Sequence, residues 1–179
     1  MTGEENLIWI DLEMSGLNPE QHVILEVASI VTGGGLQVVD QGPNIVIHYD
    51  EDALRSMESW SREHHGASGL LDRVRSSEWG LQAAEQATLD FLSRHCIAGK
   101  SPLCGNSVWQ DRRFLIRHMP RLEAFLHYRN IDVSSVKELV RRWYPELPRF
   151  SKMKAHLALD DILESIRELE YYKDHVFVP

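Results

Sequence analysis

The chain has 179 residues, with 27 acidic side chains against 19 lysines and arginines, a net charge of −8. That length suits one domain with a real core, and the composition is that of an ordinary soluble globular protein. The charge argues against a large basic surface for long duplex nucleic acid, but not against a short anionic ligand, because bound divalent cations reverse the field of an acidic site. No apolar run approaches the length of a membrane span. The start, "MTGEEN", is polar and acidic, unlike a secretory signal or a basic transit peptide. Cys96 and Cys104 are too few for a disulfide framework and lack metal-type spacing, so a reducing compartment is expected.

Residues 7–14, "LIWIDLEM", read as a strand. "VILEVASIVT" (Val23–Thr32) is a second, rich in β-branched residues, followed by a turn at Gly33–Gly35. "NIVIHY" at 44–49 is a third, and the short connections predict an antiparallel meander. Residues 51–65 look helical until "HHGASGL" breaks the pattern, and Leu81–His95 is a clear helix. "SPLC" is a short strand ending in the turn "GNS". A helix runs from Trp109 to Met119 and is stopped by Pro120. "NIDV" is another short strand, and "SSVKELVRRWY" a helix with Ser135 and Glu138 placed as a capping box. A Pro-containing loop at 145–154 leads to a last helix from about Leu157 to Tyr172. A meander followed by alternating helices and strands predicts an α/β protein, a mixed sheet with helices on its faces.

Four acids stand out. Asp11 and Glu13 are two apart in the first strand and so point to one face. Asp111 shares a helix face with Val108, Phe114 and Leu115, while Arg113 and Arg117 take the other. On the last helix Asp161 borders the stripe of Ala158, Ile162, Ser165, Ile166 and Leu169. Asp160 points away with Glu164 and Arg167. An inward acid can simply cap a loop, but four acids converging on one sheet region, with no obvious basic partner, call for cations. Hard oxygen ligands suit Mg²⁺ or Mn²⁺, and two such ions can clamp the attacking and leaving oxygens of a phosphoryl displacement. His156, one of nine histidines, precedes the last helix. As a helical residue it would point about 140° from Asp161. It joins the site only if the helix begins after it, and position alone leaves it open between a surface and a catalytic role.

In order, "IDLEMSGL", "GNSVWQDRRFL" and "HLALDD" resemble the DEDD 3′-to-5′ exonucleases, in the branch with a catalytic histidine. "SGLLDRV", "GKSPLCGNS", "HYRNIDVSSVKELVRRWYP" and "ALDDILESI" extend the resemblance over nearly the whole chain, to the oligoribonuclease family. The resemblance implies a single exonuclease domain over 1–179. Its fold would be RNase H-like, a mixed five-stranded sheet of an antiparallel three-strand meander plus parallel strands, flanked by helices. It implies two Mg²⁺ or Mn²⁺ ions held by Asp11, Glu13, Asp111 and Asp161, with His156 as general base. It matches Ser107, Arg129 and Ser134 to residues that hold a substrate's 5′-phosphate; an Arg fork suits a terminal phosphate. Ser134 also sits where a plain helix cap would. Leu17 and Trp60 would pack against the bases, although periodicity alone also allows Trp60 a core position. His65 matches a substrate-side position. Tyr128 would reach the substrate from a neighbouring subunit, which implies a homodimer. Trp109 and Leu157 depart from the pattern, standing where smaller or more polar residues are expected. The implied activity is exonucleolytic cleavage of very short single-stranded RNA, dinucleotides above all. The alternative is an exonuclease of the same branch on longer RNA or DNA. The implied setting is the bacterial cytoplasm, or a mitochondrion for a mature organellar form, with no membrane association.

Overall fold

The computed structural model describes residues 3–151 and 158–177. Its centre is a five-stranded sheet in the order β3-β2-β1-β4-β5. Strand β1 (Leu7–Met14) pairs antiparallel with β2 (Ile24–Thr32), which pairs antiparallel with β3 (Val38–Val46). On the other side β4 (Pro102–Gly105) runs parallel to β1, and β5 (His127–Asp132) parallel to β4. The meander-plus-parallel architecture is therefore as expected. The third strand is not: it covers 38–46 rather than 44–49. Gly42 and Pro43 lie inside it, and β3 is an edge strand, where a proline need not donate to a ladder. Gly42 is required there, since a Cβ would lie 2.3 Å from the Ser29 hydroxyl and 2.5 Å from the Phe91 ring.

The helices are α1 (Ser59–Ala67), α2 (Leu70–Ser76), α3 (Leu81–His95), α4 (Trp109–His118), α5 (Pro120–Phe125), α6 (Val133–Trp143) and α7 (Ala158–His175). The helix expected over 51–65 begins only at Ser59. Before it the chain makes tight turns, held partly by the Asp50 carboxylate accepting from the Ala53 N–H. It then runs through the "HHG" expected to break it, and Gly69, at φ +74°, separates it from α2. Pro120 does end α4, but it also starts α5 from the first helical position, where its missing N–H costs nothing. The amides of Arg121 and Leu122 donate to the buried Glu85 carboxylate on α3.

Alternation along β1 sorts the core into two layers. Ile8, Ile10 and Leu12 pack with Phe91, Leu92, Phe114 and Leu115, the α3 and α4 side. Trp9 packs with Val133, Val140, Ala158, Ile162 and Ile166, the α6 and α7 side. A smaller cluster joins Leu25, Leu54 and Met57 to Leu70, Leu71 and Val74 of α2. Asp11 and Glu13 follow Trp9 at alternate positions, so they share the face that α7 covers. Among the described residues no helix is long and apolar enough to cross a membrane.

Candidate active site

The acids gather where the parallel strands end. An apolar stripe seats α7 on the Trp9 face, and the same seating brings Asp161 of its first turn against Asp11 and Glu13. One carboxylate oxygen from each lies within 4.8 Å of the other two. Asp111 arrives from the opposite layer. Phe114 and Leu115 anchor α4 under β1, and its first turn then meets the strand, where the Leu12 N–H donates to Asp111 Oδ1 at 3.1 Å. The charge of Asp111 acts on Asp11 more strongly than that of any other acid there.

Burial and mutual repulsion hold these groups toward their protonated forms. Asp11 is raised well above the ordinary carboxylate range by burial and by Asp111, Glu13 and Asp161. Burial, then the charges of Asp161, Glu26 and Asp111, push Glu13 up to about 8. Burial pushes Asp111 up to about 7 against the opposing pull of the Leu12 amide. An all-oxygen cluster of carboxylates that resist carrying their charges together fits a hard divalent cation.

A basic residue does attend the cluster. Glu26, fully buried, lies directly across from Glu13 in the β1–β2 register and is paired with Arg73 of α2 at 2.9 Å. Arg73 pulls Glu13 down while Glu26 pushes it up. Sequence reasoning missed this pair, because α2 went unrecognised and Glu26 stood inside an apolar run. Asp160, expected on a solvated face, is half-buried, and its helix neighbour Glu164 is buried, because α7 is covered around more of its circumference than one stripe requires.

The residues matched to substrate binding fall into three groups. Leu17 is 61 % exposed on the loop after β1. Its amide donates to Glu58 Oε1 at 3.1 Å, and its carbonyl accepts from Gln110 Nε2 at 2.7 Å. The same loop closes over His22, which accepts from the Asn18 amide through Nδ1 and meets the Ser56 carbonyl through Nε2. Gly16 has no room for a side chain there, since a Cβ would come within 2.5 Å of the His22 ring. Trp60 is 68 % exposed, not core, and stacks on His64 with 4.7 Å between ring centroids. His65 is 3 % exposed and meets the His64 ring edge-on. Its Nε2 faces the Met14 carbonyl at 2.9 Å, which requires a proton on that nitrogen, and its Nδ1 stands 3.9 Å from Glu13.

The third group lies beyond β4 and β5. Ser107, Asp132, Ser134 and Ser135 line an open pocket with Trp109, Glu138 and Leu139. Ser107 takes a left-handed backbone, φ +53°, a conformation that costs a non-glycine residue about 1 kcal/mol or more. Asp132 Oδ1 accepts from the amides of Ser107, Ser134 and Ser135. Asp132 is thus the cap of α6, and the expected capping box is absent: Glu138 instead pairs with Arg141 and Arg142. The Ser134 amide is therefore already taken by Asp132. In β5 the pairing jumps from Pro102–His127 to Leu103–Asn130, leaving Tyr128 and Arg129 as a two-residue bulge on the sheet edge. Arg112 braces the bulge by donating to the His127 carbonyl at 2.9 Å and to Asn130 Oδ1 at 2.7 Å. Tyr128 is 73 % exposed, with the Arg129 guanidinium 5.2 Å from its ring centre. His156 and Leu157 lie outside the described residues.

Comparison with known proteins places the chain. The RNase_T family model, described as Exonuclease, matches residues 8–169. The oligoribonuclease of Shewanella loihica is 58 % identical over 175 residues, covering 97 % of both chains. That of Marinobacter nauticus is 56 % identical over 178 residues, 99 % of both, and that of Escherichia coli strain K12 is 53 % identical over 173, 96 % of both. Among solved structures, exonuclease I of Methylocaldum szegediense superposes with a TM-score of 0.73 at 15 % identity, covering 96 % of this chain and 41 % of that one. Escherichia coli exonuclease I in complex with a dT13 oligonucleotide also scores 0.73 at 15 % identity, over 94 % of this chain and 41 % of that one. This chain thus spans about two fifths of the length of exonuclease I, and the likeness shows a shared RNase H-like fold. At this identity and coverage the chain belongs to the exonuclease family, among its oligoribonucleases, and is an exoribonuclease, a hydrolase of phosphodiester bonds.

Proposed function

We propose that this protein degrades very short single-stranded RNA from the 3′ end, acts above all on 5′-phosphorylated dinucleotides, and releases 5′-mononucleotides. In a cell that is the last step of RNA decay, and it includes the linear products of cyclic dinucleotides. The observation that carries the reading is the convergence of Asp11, Glu13 and Asp161 within 4.8 Å, with Asp111 braced beside them by the Leu12 amide.

The four acids would hold two divalent ions, Mg²⁺ or Mn²⁺, whose Lewis acidity would polarise the scissile phosphate and stabilise the leaving 3′-oxygen. His156 takes the proton of the attacking water, a task suited to a near-neutral imidazole. Leu17 and Trp60 present apolar and π surfaces to the bases, which stacking accepts without regard to sequence. Trp60 is held for this by its stack on His64. His65 backs His64 while fixing the end of β1 through Met14. Ser107, Ser134 and Arg129 hold the 5′-phosphate, and Tyr128 projects from its bulge toward the site of a second subunit in a homodimer. A pocket that ends the binding track also explains the net charge: a dinucleotide needs few basic contacts.

Turnover of 5′-phosphorylated RNAs of two to seven nucleotides, measured with Mn²⁺, tests the reading. The dinucleotide should be cleaved fastest and yield only 5′-mononucleotides. Equal rates at all lengths, or equal rates on the matching DNAs, would favour the general exonuclease instead.

A further inference from the structure

Asn106, the first residue after β4, sits between the serine pocket and the helix that carries Asp161. Its side chain is the centre of one unbroken hydrogen-bonded chain. Ser107 Oγ donates to Ser134 Oγ at 3.2 Å, and Ser134 Oγ donates to Asn106 Oδ1 at 2.9 Å. On its other side Asn106 Nδ2 donates to Ser165 Oγ at 2.7 Å, and Ser165 Oγ donates to the Asp161 carbonyl at 2.8 Å. The same Nδ2 is 3.4 Å from Glu168, a buried carboxylate that also pairs with Lys137 of α6 and accepts from the Tyr172 hydroxyl. The Ser134 and Ser165 hydroxyls each accept one hydrogen bond and donate another, so the proton directions run one way from Ser107 toward Asp161.

We infer that Asn106 is a positioning residue that couples occupancy of the serine pocket to the placement of Asp161. The inference rests on the function proposed above for the pocket and the acids. The physical reason is proton counting. Ser134 has one hydroxyl proton, and it is committed to Asn106. A phosphate oxygen accepting a hydrogen bond from Ser134 draws that hydroxyl away from Asn106 Oδ1, so the amide must shift or turn to recover a partner. The amide cannot do so without disturbing Ser165, which is buried and bonded to the carbonyl of Asp161 itself. Such polar networks respond as units, because a half-satisfied member is costly when buried. Ser107 stays in a strained backbone at the outer end of this chain, where it is tied to Asp132 and Ser134. The pocket thereby reports a correctly seated 5′ end to the metal-binding helix.

The test compares a dinucleotide with and without its 5′-phosphate on the wild-type protein and on Asn106→Ala and Ser165→Ala. Ser165 does not line the pocket, so its variant isolates transmission from binding. Coupling of ordinary strength changes affinity or turnover about tenfold. The wild type should gain at least that much in kcat/KM from the 5′-phosphate. Both variants should lose most of the gain, chiefly in kcat, while their turnover of the unphosphorylated dinucleotide stays within about threefold. Mn²⁺ titration by calorimetry gives the reciprocal readout, using dinucleotides with a non-hydrolysable linkage. The 5′-phosphate should tighten Mn²⁺ binding to the wild type and not to Ser165→Ala. If the variants lose activity equally on both substrates, or keep the full gain, the coupling is refuted while the proposed function stands. If the wild type itself gains nothing from the 5′-phosphate, the proposed function fails first and the coupling with it.

Discussion

Asp11 and Glu13 repel each other, and the fold adds Asp161, Asp111 and Glu26 to the same neighbourhood. Arg73 relieves part of that load through its pair with Glu26, and bound protons or, in the proposed function, cations relieve the rest. In the proposed function the acids act through bound metal, so replacing one should remove several kcal/mol of transition-state stabilisation. Asp11→Asn or Asp161→Asn should lower kcat/KM roughly a thousandfold. Asp160→Asn, one residue away, should stay within about twofold of wild type. Steady-state assays of the three variants decide between the neighbouring aspartates, and a severe loss in Asp160→Asn would show the wrong one was assigned. The choice of Asp161 was legible from helical spacing alone, since only it borders the stripe of Ala158, Ile162 and Ile166. The burial of Glu164 was not, because one apolar stripe does not reveal how many neighbours a helix will have.

Elements carry the site as much as residues do. The N-terminus of α6 looked like a capping box of Ser135 and Glu138, but Asp132 holds it and also holds the strained turn at Ser107. Losing an aspartate cap costs about 1–2 kcal/mol, and here the turn loses its anchor as well. Asp132→Ala should therefore destabilise the protein by about 2 kcal/mol in urea denaturation, while Ser135→Ala should cost less than about 0.5 kcal/mol. The opposite ranking would restore the capping box. Local pattern misled here because a cap is set by which side chain the incoming strand aims at the helix, and β5 aims Asp132. The same limit hid α2 and its Arg73. Seven residues after a glycine give too short a period to recognise, and only packing against Leu25 and Leu54 makes them a helix.

At the scale of the whole molecule, the acid cluster links metal, pH and stability. Glu13 and Asp111, at about 8 and about 7, sit above their unfolded values near 4. A raised carboxyl binds its proton more tightly in the folded chain. The metal-free protein therefore has this stabilisation in full below about pH 4 and loses it as pH rises toward 8. In the proposed function divalent cations would take the protons' place. Thermal unfolding with chelator should show Tm falling from pH 5.5 to pH 8, and added Mg²⁺ or Mn²⁺ should raise Tm more at pH 8 than at pH 5.5. A metal-induced shift that is equal at both values would mean the cations bind elsewhere.

By itself the sequence determined the α/β class and the order of strands along the chain, and it singled out four acids, three of which the structure brings within 4.8 Å of one another. These follow from period, spacing and chemical type, which are local and need no knowledge of neighbours. Only the tertiary structure decided that Trp60 lies in the open and His65 is buried, that β3 begins at Val38 on an edge, that Asp132 rather than Ser135 caps α6, and that Asn106 joins the serine pocket to the Asp161 helix. Each of those depends on contacts between residues far apart in the chain, and such contacts leave no periodic trace in the residues that make them.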